Sequence, residues 1–124
     1  MFGSLLIASA AIATVPAPVE VSASRAAWID VGYEELRAGD AEAAINHIRS
    51  NRAIEADDPA AMINLGAAHA RLGKSDKARA YYLAAIASRV RYDVQLADGR
   101  WMDTRRAARL AIELQARGTT IALR

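Results

Sequence analysis

The sequence predicts an all-α chain of two consecutive helical hairpins, followed by a short β-ribbon and a capping helix. Three observations carry this. Residues 25–58 align without gaps on residues 59–92, so the chain repeats itself at a period of 34. Eight aligned pairs are identical, among them Gly32 with Gly66 and Gly39 with Gly73. Two glycine pairs at one separation are harder to obtain by chance than matches among alanines. The composition is alanine-rich, with one Phe, two Trp and four Tyr, which favours closely packed helices over a large aromatic core. A chain of 124 residues holds one small domain comfortably.

Residues 5–15, LLIASAAIATV, are apolar and uncharged, Pro16 and Pro18 follow, and Val21-Ser22-Ala23 is a small-residue site. This pattern reads as an export signal over residues 1–23, cut after Ala23. Pro16, Pro18 and Glu20 interrupt the run too early for the roughly 20 apolar residues that span a bilayer. The expectation is an exported, periplasmic protein with no stable membrane insertion after cleavage. The chain has no cysteine, which excludes a disulfide framework, a thiolate metal site and a cysteine nucleophile.

In the first unit a helix is expected from about Arg25 to Ala38, broken by Gly39, with Asp40 capping a second helix from about Ala41 to Ile54. The second unit repeats the plan. Pro59 suits a first helical turn, Gly73 terminates, and Ser75 or Asp76 is the expected cap of a helix running to about Ser88. Glu55-Ala56-Asp57-Asp58 reads as a solvated turn between the units. An interior glycine costs a helix about 1 kcal/mol relative to alanine. Gly66 is therefore expected to mark a close helix approach, with Ala78 as its neighbour, as Ala44 would be for Gly32. Residues 93–124 form the third segment. Val94 and Leu96, then Asp98-Gly99, signal a hairpin, with Trp101 expected to anchor it on the repeats. Asp103 or Thr104 is the expected cap of an amphipathic helix over Thr104–Arg117, apolar at Ala107, Leu110, Ala111 and Leu114 and stopped by Gly118. Repeat arrays leave an apolar end face, which this helix would cover. The segment TTIALR, residues 119–124, receives no assignment.

No catalytic set converges in the sequence. His47 and His69 fall on different helices without metal-ligand spacing, so His47 reads as a surface residue and His69 as a packing residue. The carboxylates at 34–35 read as solvated, and Gly73-Lys74-Ser75 lacks the rest of a P-loop. The expected protein is therefore not an enzyme and holds no metal or cofactor. Residues 89–124 carry eight basic against four acidic side chains. Trp101 has no companion series for base stacking, so nucleic acid is not an expected partner. Arg105, Arg106 and Arg109 would instead serve an alternative role on an anionic lipid or polymer surface.

The 34-residue unit resembles the tetratricopeptide repeat. Met62, Leu65, Gly66, His69, Gly73, Ala78, Tyr82 and Ala85 carry the pattern in the second unit, and Trp28, Val31, Gly32, Gly39, Ala44 and Ile48 in the first. Met62 stands for the usual Trp and His69 for the usual Tyr, with Glu35 at the equivalent place in the first unit, and neither unit has a closing Pro. The resemblance covers residues 25–92. It implies two repeats whose first helices line a concave face built by Ile29, Asp30, Tyr33 and Arg37, then Ile63, Asn64, Ala67 and Arg71. It also implies a non-catalytic interaction module or scaffold that takes a protein partner as a peptide or helix. Arginine forks would meet a carboxylate there, and Asn64 a peptide backbone. Two repeats are few for a stable array, and a homodimer would supply the missing contacts.

Overall fold

The computed structural model describes residues 29–124. The export signal expected over residues 1–23, and Ala26, Ala27 and Trp28 of the first repeat, lie outside the described residues. Five helices and two strands follow in order: α1 (Tyr33–Arg37), α2 (Ala41–Ser50), α3 (Pro59–Arg71), α4 (Ser75–Ala87), β1 (Asp93–Gln95), β2 (Trp101–Asp103) and α5 (Thr104–Ala116). The fold is helical with one small antiparallel sheet.

The first helix is much shorter than expected. Residues 29–32 are not helical, because Gly32 takes a left-handed φ of 76°, a conformation incompatible with a right-handed helix. The Asp30 carboxylate accepts the Gly32 N–H at 2.9 Å and holds that turn. Gly32 also marks a close approach to its expected neighbour, since a Cβ there would stand 3.3 Å from the Ala44 carbonyl oxygen; it shares with Gly66 a repeat position and a packing role, and adds the turn. Gly66 lies inside α3, and a Cβ there would overlap the Tyr82 ring, with Cδ1 at 2.7 Å and Cζ at 3.0 Å. The aromatic ring of α4, rather than Ala78, is what glycine admits.

Asp40 caps α2 as expected, its carboxylate accepting the Ala43 N–H at 2.9 Å. The helix stops at Ser50 instead of Ile54, where Asn51 turns extended and its side chain donates to the Asp30 carbonyl at 3.2 Å. Asp58 corrects the reading of a solvated acidic turn: it is buried and caps α3 through the Ala61 N–H at 2.9 Å, with Pro59 opening the helix. The Tyr92 hydroxyl donates to both of its carboxylate oxygens at 3.0 Å. At the start of α4 neither Ser75 nor Asp76 is the cap; Lys74 occupies that position with no side-chain bond to the helix.

The ribbon forms as the Asp-Gly signal predicts, with Val94 opposite Met102 and Gly99 at φ 87°. Val94 and Met102 are its buried anchors, whereas Trp101, expected to do this, is 58% exposed. A strand alternates its faces, and Trp101 occupies the outer one. Asp103 caps α5 by accepting the Arg105 and Arg106 N–H groups, and the Arg91 guanidinium hydrogen-bonded to it holds its carboxyl below the ordinary value. Thr104, Ala107, Ala108 and Ala111 bury one face of α5 against α4 and α3, which is the covering position expected of it. No helix among the described residues is long and apolar enough to cross a membrane.

Candidate functional site

The face shared by α1 and α3 holds the residues the repeat pattern singled out, and it is occupied. Ile63, Asn64 and Ala67 have no solvent exposure. The Asn64 side chain meets the segment TTIALR. Ile121, Ala122 and Leu123 are buried, and the segment runs antiparallel to the end of β1, with the Ala97 N–H donating to the Ala122 carbonyl at 3.1 Å and the Arg124 N–H to the Gln95 carbonyl at 3.0 Å. Leu123 is bridged to Leu96 at a place where its own N–H and C=O point away from β1. The Asn64 carboxamide meets both of them, donating to the Leu123 carbonyl and accepting the Leu123 N–H, each at 2.8 Å. Its other N–H goes to the Val31 carbonyl, also at 2.8 Å, so both side-chain donors are used.

The remaining predicted residues divide around this contact. Arg71 donates to the Leu36 carbonyl and, through Nε, to the Thr120 hydroxyl at 3.0 Å. The Arg124 guanidinium stands 5.1 Å from the centre of the Tyr33 ring, within cation–π range. Arg37 is exposed and only 3.5 Å from Glu34, an ordinary surface pair of little energetic weight. Ile29 is exposed at the rim, and the Asp30 side chain is turned to the Gly32 turn and to His47. Three clefts of about 430, 420 and 460 Å³ border the segment.

His47 is half-buried and lies between two carboxylates, with Nδ1 2.7 Å from Glu35 and Nε2 3.3 Å from Asp30, so neither it nor Glu35 is the free surface group the sequence suggested. Asp30, Glu35 and His47 bring their ligand-type atoms within 4.8 Å of one another. Since each ring nitrogen faces a different carboxylate, the trio ties the turn before α1 to α2. His69 is buried and stacked on Tyr81 at 5.3 Å, and neither ring nitrogen has a hydrogen-bond partner among the described residues. Burial, then the charges of Lys77, Arg49 and Lys74, lower its pKa from 6.5. The fold therefore favours neutral His69. Stability from this group is complete above pH 6.5 and falls as the pH drops below that value, because the unfolded chain takes up a proton that the fold resists. The expected slope is at most about 1.4 kcal/mol per pH unit, and His69→Phe should remove it from urea melts run between pH 6.5 and 5.

On α5, Arg105 is drawn inward to the Ser88 carbonyl at 3.3 Å, leaving Arg106 and Arg109 on the outer face. The alternative anionic-surface patch is thus reduced from three arginines to two.

No family model, curated protein or solved structure matches the chain.

The sequence reading missed the role of residues 119–124. The available signal was weak: apolar Ile121 and Leu123 alternate after the Gly118 stop, as Val94 and Leu96 do before the Asp-Gly turn.

Proposed function

We propose that the protein is a non-catalytic interaction module of tetratricopeptide type, exported to the bacterial envelope, that holds an extended protein segment against the face of α1 and α3. The observation that supports this most is the double hydrogen bond of Asn64 to the main chain of Leu123. A buried carboxamide that pairs with both the N–H and the C=O of one residue recognises extended backbone whatever the side chain. An extended segment is thereby favoured over a partner helix, whose main-chain groups are already paired. The 34-residue period, the burial of Ala78, Tyr82 and Ala85, and the fit of Tyr82 over Gly66 support the repeat type.

The test uses half-buried Tyr33 and exposed Arg37 at the rim, with circular dichroism to establish that the variant keeps its helices. Tyr33→Ser with Arg37→Ser should reduce photo-crosslinked capture of the partner from envelope extract about tenfold or more, the size of a modest hot spot. Arg106→Ser with Arg109→Ser should leave capture unchanged. The reverse result would favour the α5 surface and an anionic lipid or polymer.

A further inference from the structure

The segment that fills the groove also shows what else the groove would accept. Its contacts are of three kinds. Main-chain bonds to β1 and Asn64 are indifferent to sequence, whereas the fully buried Leu123 demands an aliphatic side chain. A third contact is poorly matched. Arg71 meets Thr120 through a neutral hydroxyl, in a cleft of about 420 Å³ that also contains Arg37 and Arg100 and only one carboxylate, Asp98. Arg100 is paired with Asp98 at 2.7 Å and Arg37 lies 3.5 Å from Glu34, whereas the bonds of Arg71 go to the neutral Leu36 carbonyl and Thr120 hydroxyl. A carboxylate at the place of Thr120 would give Arg71 a charge-assisted bond in place of a neutral one. A second cleft of about 460 Å³ shares Tyr33 and Arg37 with the first and continues beside Arg124, leaving room along the groove for a longer occupant.

We propose that the partner is an extended acidic-aliphatic peptide with Asp or Glu at the place of Thr120 and Leu three residues later, and that residues 119–124 compete with it in cis. This rests on the interaction-module reading above. The cis segment acts at an effective concentration of around millimolar. The apparent affinity of the native chain is therefore the intrinsic one reduced by the fraction of open groove. Gly118, at φ 75°, ends α5 immediately before the segment and is the point about which it would leave.

The probes are synthetic peptides: residues 119–124 as they stand, the same with Thr120→Asp, and the same with Leu123→Asp. They are titrated into the ¹⁵N-labelled 124-residue chain. The Thr120→Asp peptide should move the Ala122, Leu123 and Arg124 amide signals of the chain toward unstructured positions, at about tenfold lower concentration than the unmodified peptide. The Leu123→Asp peptide should move none of them. In the chain variant Leu123→Asp, circular dichroism first establishes that the helices persist, and the Thr120→Asp peptide should then bind about tenfold or more tighter than to the native chain. Should that variant unfold, the native-chain titration decides alone. Unmoved signals at millimolar Thr120→Asp peptide, or equal potency of all three peptides, would overturn the proposal. If that occurs while capture still depends on Tyr33 and Arg37, the interaction-module reading stands and only the acidic-aliphatic partner falls.

Discussion

Asn64→Leu should lower the stability of the chain by about 3–5 kcal/mol in urea melts, one of the two largest expected effects of a single substitution here. Leucine has as many side-chain heavy atoms as asparagine and the same branch at Cγ, so none of this loss comes from a cavity. The cost comes from the three main-chain groups it abandons: the Val31 carbonyl, the Leu123 carbonyl and the Leu123 N–H. Each loses a partner in a place water does not reach, and a buried group left unpaired costs about 1–3 kcal/mol. The effect should also be local in a recognisable way. Amides of residues 121–124 should lose exchange protection before those of α4, because Asn64 is what binds the segment's outer edge while α4 packs independently on α3 and α5. Asn64→Asp should fare no better, since the carboxylate keeps the acceptor for Leu123 N–H but presents charge to two carbonyls.

Gly66→Ala is the second. At an open helix-interior site this change stabilises by about 1 kcal/mol. In α3 it should instead destabilise by about 1–3 kcal/mol, because the new methyl overlaps the ring of Tyr82, which is fully buried. Burial likewise pushes the Tyr82 phenol up to about 12, and its hydroxyl has no partner among the described residues. Shortening the ring removes the obstacle. In a Tyr82→Leu background the Gly66→Ala change should turn neutral or stabilising, and the double-mutant cycle should return a coupling of about 1–3 kcal/mol. Additive effects would mean that the ring does not confine Gly66.

These two residues mark what was legible in the sequence. Boundaries set by local chemistry were readable: Pro59 at the start of α3, Gly73 at its end, Asp98-Gly99 in the ribbon, and Asp103 before α5 all lie where their side chains or dihedrals demand. The repeat period gave Gly66 a packing role and extended the same role to Gly32. That step held in part: a Cβ on Gly32 would stand 3.3 Å from the Ala44 carbonyl oxygen and the Ile48 side chain, but the Asp30 carboxylate bonds the Gly32 N–H and the glycine also takes the left-handed turn that delays α1. Period alone shows a shared need for space and does not reveal that Gly32 is needed for φ as well.

Contacts across long stretches of chain were not readable at all. Asp58 looked like part of an acidic turn because its partner, Tyr92, lies 34 residues away. His47 looked exposed because Glu35 comes from the other helix of the hairpin. For Asn64 the sequence supplied the right chemistry, bonding to an extended backbone, and was silent on which backbone. Residues 119–124 lie 59 positions from Asn64 at Leu123, and six residues show too short an alternation to reveal a strand.

The central claim is that the face of α1 and α3 grips extended main chain through Asn64. Hydrogen exchange at the Leu123 amide tests it most directly, since that N–H points away from β1 and, among the described residues, is paired only with the Asn64 carboxamide. Protection comparable to that of the Ala67 and Ala68 amides in the buried middle of α3, lost in Asn64→Leu while α4 stays protected, is the predicted result. Exchange of Leu123 at the rate of an unstructured peptide in the native chain would contradict it.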